Sequence, residues 1–134
     1  MKLIFLFSSL IFLSTSRESC SRIKKVPGPG CYKGRLEVKA ACMNYTISVL
    51  SGNMDPARIE SSWTDETTGK TYKNAFALGS RCTFPSRINA GDEFYFMIDS
   101  TSAQNCAVCM IYYPTPAKHL SIKVLDAPCT QPVR

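Results

Sequence analysis

The sequence predicts a small all-β domain stapled by disulfides. Three observations carry that expectation. First, the chain shows no stretch of helical periodicity and reads as short apolar runs that alternate with polar residues, separated by turn-forming clusters. Second, seven cysteines fall within 134 residues: Cys20, Cys31, Cys42, Cys82, Cys106, Cys109 and Cys129. Third, the leader MKLIFLFSSLIFLSTS has an early Lys2, an apolar run from Leu3 to Phe12 and a small-residue end. That layout is a secretory signal at 1–16, which places the cysteines in an oxidising compartment where they act as staples.

Residues 17–134, about 118 residues, are the length of one domain. The apolar run of the leader is too short for a membrane span, and nothing later in the chain is longer. The protein is therefore expected to be secreted and extracellular, with no membrane span.

The elements follow in order. Residues 20–31, CSRIKKVPGPGC, are a cysteine-bracketed basic loop rich in proline and glycine. Arg35 to Leu50 is the longest regular run. Leu36, Val38, Ala40 and Cys42 share one parity, while Tyr45, Ile47 and Val49 take the other. A strand cannot change face without an extra residue, so the spacing predicts a bulge near Cys42–Asn44 in one long, bent strand. Residues 51–56 are a turn. Ala57 to Thr64 is a second strand anchored by Ile59 and Trp63, and residues 65–70 are a hairpin connection closed by Gly69. Thr71 to Leu78, Asp92 to Asp99, Cys106 to Tyr113 and Leu120 to Leu125 complete six strands, the fifth stopped by Pro114-Thr115-Pro116. A tail, 126–134, carries Cys129. Six short strands with turns between them imply a barrel or sandwich.

The net charge is +6, or +5 once Lys2 leaves with the signal. Basic residues gather in the first quarter of the chain, among them Arg22, Lys24, Lys25, Lys33 and Arg35. Such a face is either a solvated arm or a site for an acidic partner such as glycosaminoglycan. Nucleic acid is not expected outside the cell. Asn44-Tyr45-Thr46 is an N-glycosylation sequon, which makes Asn44 a candidate glycan acceptor. Three disulfides would leave one thiol over, buried and free or paired between chains, and spacing alone does not fix the connectivity.

The residues argue against an enzyme. His119 is the only histidine and stands beside Lys118 near a proline turn. Asp65 and Glu66 are adjacent in a turn, and neighbouring strand positions point to opposite faces, which makes a poor acid–base pair. Cys106-Ala107-Val108-Cys109 runs into a strand-like segment rather than opening a helix, so one or both of its thiols are expected to be disulfide partners and not a redox pair. A structural zinc would need a second such pair, and the sequence holds none. No metal and no cofactor are expected.

The cysteine order and its surroundings resemble the netrin-like (NTR) domain, and within it the inhibitory domain of the tissue inhibitors of metalloproteinases. The resemblance rests on Cys20, the loop, Cys31 before GRLEVKAACMNYTISVL, and Cys82 in RCTFPSRINAGDEFYFMI with Gly91, Phe94, Tyr95 and Phe96. Cys106 or Cys109, then Cys129, close the pattern. It implies a five-stranded OB-type barrel that binds protein in the extracellular space. It also implies pairings Cys20–Cys82 and Cys31–Cys129, with Cys42 taking Cys106 or Cys109. In the family the terminal cysteine's α-amine and carbonyl chelate the protease zinc and the next residue enters the specificity pocket. Here those positions are Cys20 and Ser21, with Arg22 where the family has a second cysteine. Chelation needs the mature chain to begin at Cys20, whereas cleavage after Ser16 leaves Arg17-Glu18-Ser19 ahead of it. The expected function is a secreted protein-binding domain, with metalloproteinase inhibition as its sharpest form. The alternatives are a matrix- or receptor-binding module using the basic arm, or an apolar-ligand carrier with Tyr95, Tyr112 and Tyr113 at a barrel mouth.

Overall fold

The computed structural model describes residues 30–129. The expected signal at 1–16 and nearly all of the loop 20–31 lie outside the described residues. Seven strands form: β1 (Cys31–Lys39), β2 (Tyr45–Ser51), β3 (Glu60–Thr64), β4 (Thr71–Leu78), β5 (Glu93–Ile98), β6 (His119–Leu120) and β7 (Ile122–Leu125). Helix among the described residues is limited to three short 3-10 turns. The fold is all-β.

The expected bent strand is in fact a hairpin. β1 and β2 are antiparallel neighbours, from Lys33 opposite Ser51 to Lys39 opposite Tyr45. The chain reverses through Ala41–Met43, where Cys42 and Met43 take left-handed φ angles of 58° and 57°. A bulge and a reversal both exchange the faces of a strand, and only the partner strand tells them apart. β1 also begins earlier than expected, at Cys31. Glycine is a weak strand former, which hides Gly34 from a sequence reading. A Cβ at Gly34 would lie 2.9 Å from the Phe96 ring and 3.2 Å from Ile47 Cγ2, so the bare backbone makes room for both side chains.

The strand order is β3-β4-β2-β1-β5-β7, with β6 against β4. The expected strand Leu120–Leu125 is broken at Ser121 into β6 and β7. β6 lies parallel to β4, and β7 antiparallel to β5. One segment, 119–125, is thus laid along the free edges of two strands. Ser80 fills the break: its hydroxyl donates to the Ile122 carbonyl at 2.8 Å and accepts from the Ile122 amide at 2.9 Å. The sheet is not closed into the expected barrel, because two- and four-residue strands stand where one continuous closing strand would be.

β4 changes character along its length. Thr71–Asn74 is largely exposed against β3, whereas Ala75–Leu78 is buried between β2 and the β6 segment. Asn74, with φ of 51°, marks the change; asparagine tolerates that left-handed region better than most residues. Leu36, Ile47, Phe76, Leu78 and Phe96 form the fully buried centre. Phe84, Phe94 and Phe96 continue it as a chain of edge-to-face and tilted rings. Burial of each such side chain contributes about 1.5–3 kcal/mol.

Three disulfides are present among the described residues: Cys31–Cys129, Cys42–Cys109 and Cys82–Cys106. The first is the pairing the resemblance implied. The implied Cys20–Cys82 pairing is corrected, since Cys82 is bonded to Cys106. Cys20 lies outside the described residues. No helix among the described residues is long and apolar enough to cross a membrane.

Candidate functional site

The expected strand Cys106–Tyr113 does not form. No strand occurs between Ile98 and His119. This run has no sheet neighbour, and it is fixed instead by side chains and disulfides. Cys106 is tied to Cys82 and Cys109 to Cys42. The Ile111 amide donates to Cys42 Sγ at 3.3 Å. The Ile111 carbonyl accepts from Asn44 Nδ2 at 2.8 Å, and the same nitrogen donates to the Ala41 carbonyl at 2.8 Å. The Tyr113 hydroxyl donates to Asp65 Oδ2 at 2.8 Å. Pro116 is fully buried, and the Ala117 amide donates to Glu60 Oε1 at 2.6 Å.

The result is an irregular segment held at six points, with the side chains of Met110, Ile111 and Tyr112 facing outward. Met110 is 96% exposed, Ile111 61% and Tyr112 85%. Single exposed apolar residues are ordinary, but three consecutive large ones on a doubly stapled loop form a patch that water does not favour. The prolines explain why the segment leaves the sheet. Pro114 and Pro116 lack amide donors and force extended backbone on the residues before them.

Asp65 is the electrostatic anchor. It is 1% exposed. Burial alone would push its carboxyl up. The hydroxyl of Tyr113 and the Thr67 and Thr68 donors outweigh that and hold it below its ordinary value. The same hydrogen bond pushes the Tyr113 phenol up, because the proton is held toward the carboxylate. Glu66 is exposed in the same turn. Of the two adjacent carboxyls, one is a buried anchor and the other is solvated.

The remaining sequence-derived candidates are dispersed. Cys20, Ser21, Arg22, Lys24 and Lys25 lie outside the described residues. Lys33 and Arg35 both reach Glu93, at 2.5 Å and 3.2 Å. These contacts raise the Lys33 ammonium and lower the Glu93 carboxyl. Two charges expected on a basic face are therefore largely answered within the sheet. His119 is exposed on β6. Cys106 and Cys109 sit in different disulfides, so they are not a redox pair.

The three tyrosines proposed for a barrel mouth are not brought together. Tyr95 lines a shallow groove with Arg87, Ile88 and Val124, whereas Tyr113 is bonded to Asp65 and Tyr112 points to solvent. A separate cavity of about 200 Å³ lies among Val49, Met54, Pro56 and Ile59. That is smaller than the range of roughly 300–1,000 Å³ usual for small-molecule sites, whereas the Tyr95 groove, about 470 Å³, is an open surface trough.

Met110 and Ile111 escaped the sequence reading because a short apolar run reads equally as a strand. The available signal was their bracketing by Cys106 and Cys109 on one side and Pro114 and Pro116 on the other. Neither a family model, nor a curated protein, nor a solved structure matches the chain.

Proposed function

We propose that the protein is a secreted, disulfide-rich binding domain that engages an extracellular protein through the loop bearing Met110, Ile111 and Tyr112. The single observation that carries this reading is the exposure of those three side chains on a backbone pinned at both flanks. A pinned loop loses little conformational entropy on binding. Tyrosine is a frequent energetic anchor at interfaces, and methionine adapts to irregular pockets. A protein partner is favoured over a lipid surface. The loop is irregular, and its backbone polar groups would go unpaired in hydrocarbon, whereas a protein cleft can pair them.

Metalloproteinase inhibition by an OB-type, NTR-like domain is the narrower form. Two features support it. Cys31–Cys129 agrees with the pairing the resemblance implies. The run β4-β2-β1-β5, with the broken β6–β7 segment against both of its ends, has the five members of an OB-type barrel without its closure. In this form Cys20, Ser21 and Arg22, which lie outside the described residues, would form the protease-facing edge. A basic arm for glycosaminoglycan would rest on Arg22, Lys24 and Lys25, because Lys33 and Arg35 are paired with Glu93.

The test is direct binding of the secreted protein to a panel of extracellular protease and receptor ectodomains, alongside Met110→Asp and Tyr112→Ala. Each specific partner is expected to lose about tenfold or more in affinity with either variant. A partner bound equally well by both variants would remove the loop from the function. For the narrower form, a mature chain beginning at Cys20 should inhibit a metalloproteinase and one beginning at Arg17 should not. Failure of both to inhibit eliminates it.

A further inference from the structure

Asn44 belongs to a glycosylation sequon, yet its side chain is already committed. The residue is 9% exposed. Its carboxamide nitrogen has two hydrogens, and there are two acceptors to use them: the Ala41 carbonyl across the hairpin reversal and the Ile111 carbonyl in the stapled loop, each at 2.8 Å. Asn44 thus joins the β1–β2 reversal to the exposed loop by a hydrogen bond to each, beside the Cys42–Cys109 disulfide. Glycan transfer from a pyrophosphate-linked lipid donor would form a bond from the sugar's anomeric carbon to Nδ2, break that carbon's bond to the pyrophosphate oxygen so that the lipid pyrophosphate leaves, and remove one of those hydrogens as a proton. The substituted amide keeps a single N–H, which can serve only one of the two carbonyls. The sugar would also have to occupy space at a residue that is nearly buried.

We propose that Asn44 is a positioning residue for the loop 106–116, and that an N-linked glycan at Asn44 and the docked loop exclude each other. The proposal concerns the loop's geometry and stands whether or not the loop binds a protein. Thr46 supplies a clean control. It is fully buried, and its hydroxyl has no hydrogen-bond partner among the described residues. Thr46→Val therefore abolishes the sequon while leaving the Asn44 carboxamide in place. Asn44→Asp keeps the side chain's size but removes both donors and sets a carboxylate against two carbonyl oxygens.

The experiment is secretion of the wild type, Thr46→Val and Asn44→Asp from glycosylation-competent cells. Intact mass gives glycan occupancy, and hydrogen exchange follows the peptide containing Ile111. The folded wild type is expected to carry no glycan at Asn44 and to match Thr46→Val in loop protection. Asn44→Asp should exchange about tenfold faster in the loop, the loss expected for two hydrogen bonds, with β1 and β5 unchanged. Any glycosylated fraction should show the same acceleration. Full glycan occupancy with loop protection equal to Thr46→Val would overturn the proposal, as would unchanged loop exchange in Asn44→Asp. The comparison of wild type with Thr46→Val stands even if Asn44→Asp does not fold.

Discussion

One carboxylate, that of Asp65, serves both a turn and a distant loop. Its carbonyl accepts from Gly69 at 2.7 Å and its Oδ1 from the Thr67 amide at 2.9 Å, which sets the β3–β4 hairpin. Its other oxygen receives the Tyr113 hydroxyl. Because the folded carboxyl is held below its ordinary value, its contribution is complete above the unfolded value of about 3.9 and is lost as pH falls through the lower folded value. Loop protection around Tyr113 should therefore be constant from neutral pH down to about 4 and fall below it. Asp65→Asn should abolish that acid transition. A wild-type loop whose hydrogen exchange, corrected for its intrinsic pH dependence, shows no loss of protection at acid pH would mean the carboxylate is not its anchor. The turn at Asp65 was legible in the sequence, because Thr-Gly at its end is turn chemistry. Its burial was not, because the group that covers it comes from a segment far along the chain.

At the scale of elements, the β1–β2 hairpin and the β6–β7 segment define the sheet. β1 serves two neighbours, pairing with β2 on one edge and β5 on the other. Gly34 lies where the Phe96 ring crosses that strand. Gly34→Ala is expected to destabilise by about 1–3 kcal/mol through overpacking, although alanine restricts the unfolded chain more than glycine does. Urea denaturation checks this, and a variant as stable as the wild type would show that Phe96 moves aside freely. β5 was legible with nearly correct bounds because its aromatic alternation is strong, with Phe94 and Phe96 buried. The hairpin was not, because a change of parity does not say whether the chain continues or returns. Cys106–Tyr113 was misread for the converse reason. Its residues favour strand, but the disulfides to Cys42 and Cys82 and two nearby prolines hold it off the sheet.

For the whole molecule, the three disulfides act at different ranges. Cys31–Cys129 ties the first residue of β1 to the tail after β7, across a sequence separation of 98. Cys82–Cys106 closes a separation of 24. Loop entropy rises with the logarithm of length, so replacing Cys31 and Cys129 together by serine should cost about 1 kcal/mol more than replacing Cys82 and Cys106. Chemical denaturation of the two double variants measures the difference. Equal losses would place the stabilisation in local native contacts rather than in the unfolded chain. Cys42–Cys109 differs from both in purpose, because it holds the exposed loop against the hairpin reversal.

The all-β class, the expectation of disulfides and most strand positions could be read from the amino-acid order alone. Those depend on alternation, turn residues and cysteine count, which are local or compositional. Which cysteines pair, that the first long run is a hairpin, that 119–125 bridges two strand edges, and that Asn44 and Asp65 each meet the 106–116 loop emerge from the folded chain. Each of those depends on contacts between residues distant in sequence. A side chain's partner across such a distance leaves no mark in the local pattern that surrounds it.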